Sequence, residues 1–177
     1  PLISIIILNY NAGKYLIKCI ESVYKTEYNN FEIIVVDNNS SDDSHKQCKE
    51  KFQKVILIEN SKNVGFSEGN NVGIRKAKGE FIVILNPDTI VTKSWLSELL
   101  NAYKNYGDNI YQPKILSLEN KNEIQGTGVV IHLFGFGFTR DRGLRDSEQY
   151  QDVEQVSCAS GACMFLSNKI FKKIGLF

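Results

Sequence analysis

Through the first hundred residues, Ile, Val, Leu and Phe gather in short unbroken runs, and each run gives way to Asn, Asp, Gly or Ser. The first, Ile3-Ser4-Ile5-Ile6-Ile7-Leu8, shows almost no polar alternation, as a strand covered on both faces should. A polar turn, Asn9-Tyr10-Asn11-Ala12-Gly13, follows it. From Tyr15 the period changes: Leu16, Ile17, Ile20 and Val23 recur at helical spacing to about Lys25. Residues 31–36 make a second strand that ends at Asp37. Ser40-Ser41-Asp42-Asp43 then offers an N-cap with acidic groups in the first turn of a helix reaching about Phe52. Residues 55–58 form a third short strand, and 66–78 a helix with Gly79 as its stop. Residues 81–85 form the fourth strand, closed by Asn86-Pro87-Asp88-Thr89, and Ser94 caps a helix carrying Trp95, Leu96, Leu99, Leu100 and Tyr103.

Strand and helix in alternation predict an α/β fold, with a mostly parallel central sheet and helices on both faces. After Asn109 the character changes. Residues 110–118, 126–133 and 153–165 read as strands or extended segments. Between them, Phe134-Gly135-Phe136-Gly137-Phe138 and the charged residues 140–152 read as a mobile loop over a site, or as a partly disordered one. There is no internal repeat.

Composition narrows the field of partners. A chain of 177 residues fits one continuous domain with a real core. Its formal net charge of +1 leaves no electrostatic footprint for nucleic acid. No apolar run approaches the roughly 20 residues that cross a bilayer, and residues 2–8 lack the charged lead and cleavage site of a signal peptide. Cys19, Cys48, Cys158 and Cys163 show no zinc spacing and read as free thiols, which points to the cytoplasm. The lysines from Lys169 to Lys173 read as a solvated helix face or as a contact with the inner face of an anionic membrane.

Three polar clusters fall at predicted strand ends: Asn9-Tyr10-Asn11, Asp37-Asn38-Asn39-Ser40 and Asn86-Pro87-Asp88. In an open α/β sheet, ligands bind beyond the carboxyl ends of the strands, where strand order reverses, so these distant loops should converge on one crevice. Asp37 read alone is a turn cap; beside the other clusters it reads as a carboxylate for a base N–H or a ribose hydroxyl. Asp88 suits a hard divalent cation that offsets charge on a departing diphosphate, and it equally suits a type I turn with Pro87. The absence of G-x-G-x-x-G after the first strand and of G-x-x-x-x-G-K-[ST] anywhere argues against dinucleotide oxidoreductases and P-loop NTPases. A nucleotidyltransferase would want more glycine and lysine than Asn9-Tyr10-Asn11-Ala12-Gly13-Lys14 provides. His45 and His132 stand alone and read as surface or packing residues. Tyr10 and Tyr15 read as base-stacking or packing residues.

Taken in order, five blocks resemble the family 2 glycosyltransferases, which have the GT-A Rossmann-like fold. They are Ser4-Ile5-Ile6-Ile7-Leu8-Asn9-Tyr10-Asn11, then Ile34-Val35-Val36-Asp37-Asn38-Asn39-Ser40-Ser41-Asp42, then Asn63-Val64-Gly65-Phe66 with Gly69-Asn70-Asn71-Val72-Gly73. Leu85-Asn86-Pro87-Asp88-Thr89 and Ser160-Gly161-Ala162-Cys163-Met164 complete them. The resemblance implies a nucleotide diphosphate sugar donor and an inverting, metal-dependent transfer to a glycan or lipid-linked acceptor. It places Asn9, Tyr10, Asn11, Asp37, Asn39, Asn70, Pro87 and Asp88 at the nucleotide, Asp88 on Mg2+ or Mn2+, and Gly161 at the donor sugar or acceptor. Asn86 stands where the family's D-x-D motif has its first Asp. This Asn-Pro-Asp-Thr variant resembles a subgroup that includes rhamnosyltransferases of bacterial surface polysaccharides, which tilts the donor from a UDP-sugar toward dTDP-rhamnose.

The same resemblance divides the chain into a nucleotide-sugar-binding half, 1–109, and the start of an acceptor-side half, 110–177. It implies that the general base lies beyond Phe177, so the chain reads as C-terminally truncated and inactive alone. A nucleotide-sugar-binding module without turnover is the alternative.

Overall fold

The computed structural model describes residues 1–147 and 151–177. Five strands form the central sheet: β1 (Ile3–Asn9), β2 (Phe31–Asp37), β3 (Ile56–Glu59), β4 (Phe81–Leu85) and β9 (Cys163–Ser167). Their order is β3-β2-β1-β4-β9. The first four run parallel, and β9 runs antiparallel to β4. Helices α1 (Lys14–Tyr24), α2 (Ser44–Lys51), α3 (Gly65–Lys76), α4 (Trp95–Tyr106) and α5 (Asn168–Ile174) complete the frame. The chain steps from β1 outward to β2 and β3, then returns to the other side of β1 as β4. Strand order therefore reverses at β1.

The unbroken apolar runs are explained by two cores, one on each face of the sheet. Ile3, Ile5, Ile7, Ile33 and Val35 pack with Leu16, Cys19 and Ile20 of α1, Cys48 of α2, and Trp95, Leu96 and Leu99 of α4. The alternate residues Ile6, Ile34 and Val36 pack with Ile74 of α3 and Phe171 of α5. The inner strands thus need apolar side chains on both faces, because successive residues point to opposite sides of the sheet. The buried Trp95 indole N–H is satisfied by Thr26 Oγ1 at 2.9 Å.

Several boundaries differ from the sequence reading. The first turn of α2 holds no acidic residue. Asp42 instead lies before it and accepts from the Ser44 N–H at 3.1 Å and the Ser44 hydroxyl at 2.7 Å. Helix α3 stops at Ala77, where the backbone becomes extended, and not at Gly79. Gly79 serves close packing: a Cβ there would lie 2.6 Å from the Ser4 backbone nitrogen. Ser94 occupies the N-cap of α4 without a side-chain cap bond.

The second half is less regular than its extended segments suggested. β5 (Ile115–Leu116) pairs with β6 (Ile124–Gly126), and β7 (Val129–Ile131) pairs with β8 (Gly137–Thr139). The Gly- and Phe-rich stretch expected as a loop is therefore the tip and return strand of a hairpin. Glycine content suggested a loop, but Phe and Gly alternate with period two, and Phe138 lies opposite Val130. Gly135 takes the left-handed turn position at φ 82°. Of the expected loop at 140–152, residues 148–150 lie outside the described residues. Among the described residues, no helix is long and apolar enough to cross a membrane.

Candidate functional site

All three polar clusters meet at one edge of the sheet. Asn9 is in register with Asp37, and Ile7 with Leu85, so the parallel strands β1, β2 and β4 release their loops on the same side. The antiparallel β9 begins at that edge, because Cys163 pairs with Leu85. This brings Gly161 and Ala162 to the rim, where the Asn86 N–H donates to the Ala162 carbonyl at 3.0 Å.

A cleft of about 1000 Å³ opens there. Its walls are residues 10–15 after β1, Asn38 after β2, Asn63 to Phe66 at the start of α3, and Asn86, Pro87 and Asp88 after β4. Lys14 and Asp88 are the formally charged residues on these walls, one of each sign. Asn86 to Thr89 is also a turn, closed by the Thr89 N–H on the Asn86 carbonyl at 3.2 Å. The turn and the cleft wall are the same residues, and the turn points Asp88 outward.

Of the sequence-derived site residues, Tyr10, Asn11, Pro87 and Asp88 line the cleft. Asn9, Asp37 and Asn70 are buried behind its walls. The Asn9 amide nitrogen lies 2.7 Å from Asp37 Oδ1, 3.1 Å from Ser40 Oγ and 2.9 Å from Ser44 Oγ. Asp37 Oδ2 accepts from the Ser40 N–H at 2.9 Å. Asn39 is exposed at φ 65°, away from the cleft lining. Asn70 donates to the Phe66 carbonyl at 2.9 Å. Gly161 supports Phe66 from behind, since a Cβ there would come within 2.7 Å of the ring's Cζ.

The rim loops are tied to one another. Asn11, at φ 53°, accepts from the Ser41 N–H at 2.8 Å, and its own N–H donates to Ser40 Oγ at 2.9 Å. Asp42 Oδ2 accepts from the Gly13 N–H at 2.7 Å. Burial pushes the Asp42 carboxyl up, but the bonds from Ser44 and Gly13 outweigh it and hold the group below its ordinary value of 3.8. Asn38 binds the next loop with both ends of its amide: it donates to Asn63 Oδ1 at 2.8 Å and accepts from the Val64 N–H at 3.1 Å. Under the Asp88 turn, burial drives the Cys19 thiol up to about 12, helped by the negative charge of Asp88.

Some of these residues escaped the sequence reading. Asn63, Phe66 and Leu118 line the cleft but had been given no role. Asn63 and Phe66 belong to the Asn63-Val64-Gly65-Phe66 motif, whereas nothing in the sequence around Leu118 marks it. Of the two readings of His45, surface or packing, the structure shows packing: it is buried, with Nδ1 3.5 Å from Asp37 Oδ1 and Nε2 3.4 Å from Glu59 Oε1. The register of β2 and β3, which sets Asp37 beside Glu59, creates that position.

A divalent metal has a limited donor set here. Among the described residues, no three His, Cys, Asp or Glu side chains come together. A closed all-protein cage is therefore not what these residues build. One exposed carboxylate, Asp88, with the Asn86 amide two residues earlier, suits a hard cation that fills its shell with water and phosphate oxygens.

The fold is an α/β fold of the GT-A type, with a cleft at the strand-order reversal. Residues 4–175 match glycosyl transferase family 2, and the chain belongs to that family. It is 30% identical over 179 residues to the low-salt glycan biosynthesis hexosyltransferase Agl10 of Haloferax volcanii, covering 98% of this chain and 55% of that protein. Among solved structures it resembles Staphylococcus aureus TarS 1–349 in complex with UDP-GlcNAc, with a TM-score of 0.70 and 19% identity, over 98% of this chain and 47% of that one. A mannosyltransferase from Pyrobaculum calidifontis, in complex with GDP-Man and Mn2+, gives a TM-score of 0.70 and 14% identity, over 99% and 47%. The chain spans about half, or less, of the length of the curated relatives it matches.

Proposed function

We propose that this chain is the donor-binding half of a glycosyltransferase, and that its cleft takes a nucleotide diphosphate sugar. The observation that carries the reading is convergence: loops following β1, β2 and β4 form one cleft at the edge where strand order reverses. Relatives support it, since TarS and the mannosyltransferase are seen with UDP-GlcNAc and GDP-Man. The Asn-Pro-Asp-Thr turn favours dTDP-rhamnose over a UDP-sugar.

In this reading the base and ribose lie against Tyr10 and Asn11 on the cleft wall, with Asn70 buried behind it. Asp37 and Asn9 act from behind the wall by holding the rim loops in place. Lys14, at the start of α1, faces the diphosphate with the positive end of the helix. Asp88 would hold Mg2+ or Mn2+, with Pro87 fixing its approach. When bound, the cation offsets the charge that collects on the leaving diphosphate. Gly161, by letting Phe66 lie close, shapes the end of the cleft nearest the sugar.

The transfer is inverting: an acceptor hydroxyl, deprotonated by a carboxylate, attacks the anomeric carbon opposite the leaving diphosphate. Asp88 is the one carboxylate among the described residues on the cleft walls, and it is committed to the metal. The cleft walls therefore bind the donor, and the base is another carboxylate, supplied from the acceptor side of the cleft. The acceptor is a glycan or a lipid-linked glycan. With no membrane-spanning helix among the described residues and with free thiols, the reading is of a cytoplasmic protein at the inner face of the membrane.

Calorimetric titration with UDP and dTDP, each with and without Mn2+, tests the reading. Saturable binding is expected that Mn2+ tightens, and Asp88→Asn should remove most of the Mn2+ effect, about tenfold or more in Kd. Binding of neither nucleotide, or an equal Mn2+ response in Asp88→Asn, would overturn it.

A further inference from the structure

Residues 124–139 contain no Asp, Glu, Lys or Arg. Within them the β7–β8 hairpin holds its apolar side chains out. Leu133 is 92% exposed, Phe134 77%, Phe136 65% and Phe138 60%, and Val130 and Ile131 are close to half exposed. Val130 and Phe138 oppose each other on one face of the ribbon, Ile131 points to the other, and Leu133, Phe134 and Phe136 crown the tip. Contiguous exposed apolar surface on this scale marks an interaction site. A protein partner covers one face of a ribbon, whereas apolar groups on both faces and the tip suit a medium that surrounds them.

Cations stand at the root. Arg140 is paired with Asp141 and Glu154, and Asp146 with Lys114 at 2.6 Å. Arg142 and Arg145 are exposed and make no ion pair among the described residues. An apolar tip above two exposed arginines is the arrangement that places aromatic rings in the acyl boundary and guanidinium groups among anionic headgroups.

We propose that this hairpin is an interfacial anchor that docks the protein on an anionic lipid bilayer. Its backbone sets the depth. The tip is closed by the His132 N–H on the Phe136 carbonyl and the Gly135 N–H on the His132 carbonyl, both at 2.8 Å. The sheet has two strands, so its outer edges carry backbone groups that cannot enter hydrocarbon unpaired. The hairpin therefore seats at the headgroup boundary, roughly 5–10 Å deep.

The root is fixed to the body of the protein. Val129 and Cys158 exchange backbone bonds at 3.0 and 3.2 Å, and the Arg140 N–H donates to the Gly128 carbonyl at 2.9 Å. From Cys158 the chain continues within three residues to Gly161, which supports Phe66 on the cleft wall. A bilayer at the hairpin thus lies on the acceptor side of the cleft, where a lipid-linked acceptor would arrive. That placement rests on the transfer reading above; the anchor itself does not.

Co-sedimentation of the full chain with phosphatidylcholine vesicles, and with vesicles of equal parts phosphatidylcholine and phosphatidylglycerol, tests the proposal. The wild type is expected to pellet with the anionic vesicles and much less with the neutral ones. Leu133→Ser, Phe134→Ser and Phe136→Ser together should weaken anionic-vesicle binding about tenfold or more. Arg142→Glu with Arg145→Glu should do the same. UDP titration of each variant should match wild type, which separates failure here from failure of the donor site. Wild type left in the supernatant, or a triple-Ser variant pelleting like wild type, overturns the proposal. So does a wild-type dimer that the triple-Ser variant converts to a monomer, which would assign the hairpin to a second copy.

Discussion

The amide nitrogen of Asn9 has two hydrogens and three oxygen neighbours, Asp37 Oδ1, Ser40 Oγ and Ser44 Oγ, while its own Oδ1 has no partner among the described residues. Rotating the amide would set two oxygens 2.7 Å apart at Asp37, so the Asp37 side chain fixes its orientation. Asp42 does similar work nearer the solvent by tying Gly13 to Ser44. Because its folded-state value lies below 3.8, Asp42 contributes stability that is fully present above pH 3.8 and is lost as pH falls through the lower folded value. Asp42→Asn is expected to lower stability by about 1 kcal/mol at neutral pH, with the difference from wild type shrinking below pH 3.8. Urea unfolding across pH checks this; a difference that grows on acidification contradicts it. At this scale the sequence was legible wherever polar residues clustered at a strand end, as at Tyr10, Asn11 and Asp88. It gave no access to His45, whose position depends on the register of two other strands, or to Leu118, an exposed leucine like any other.

Among the elements, α3 packs closest to the sheet. A Cβ at Gly73 would lie 2.5 Å from Ile6 Cγ2 and 3.2 Å from Val36 Cγ2; one at Gly69 would lie 2.5 Å from Leu8 Cδ1. The Ile6 methyl is branched at Cβ and buried between neighbours, whereas the Leu8 tip can turn aside. For Gly73→Ala, overpacking of about 1–3 kcal/mol outweighs a helical gain of about 1 kcal/mol. A net loss of about 1 kcal/mol is expected by urea denaturation, and a smaller one for Gly69→Ala. A Gly73→Ala protein at least as stable as wild type would contradict this packing. The strands and helices of the first hundred residues were legible because their period follows burial on two faces. The helix glycines were legible as a motif but not as contacts, since the reason for each lies on β1. The hairpin was misread as a loop because Phe and Gly alternate there with the apolar residues facing water.

For the whole molecule, the reversal of strand order at β1 decides where the loops meet. The alternation of strand and helix implied the parallel sheet, and the strand-end clusters implied a shared edge. The antiparallel β9, which brings Gly161 to that edge, came only with the coordinates, because its partner β4 is some eighty residues earlier. The central claim is that these converging loops hold a diphosphate through a metal on Asp88. Anomalous diffraction from crystals grown with UDP and Mn2+ tests it most directly. A manganese peak at the Asp88 carboxylate, with the diphosphate between it and Lys14, is the expected result. A nucleotide bound with its phosphates away from the Asn86-Pro87-Asp88 turn, or manganese held elsewhere, would contradict the account.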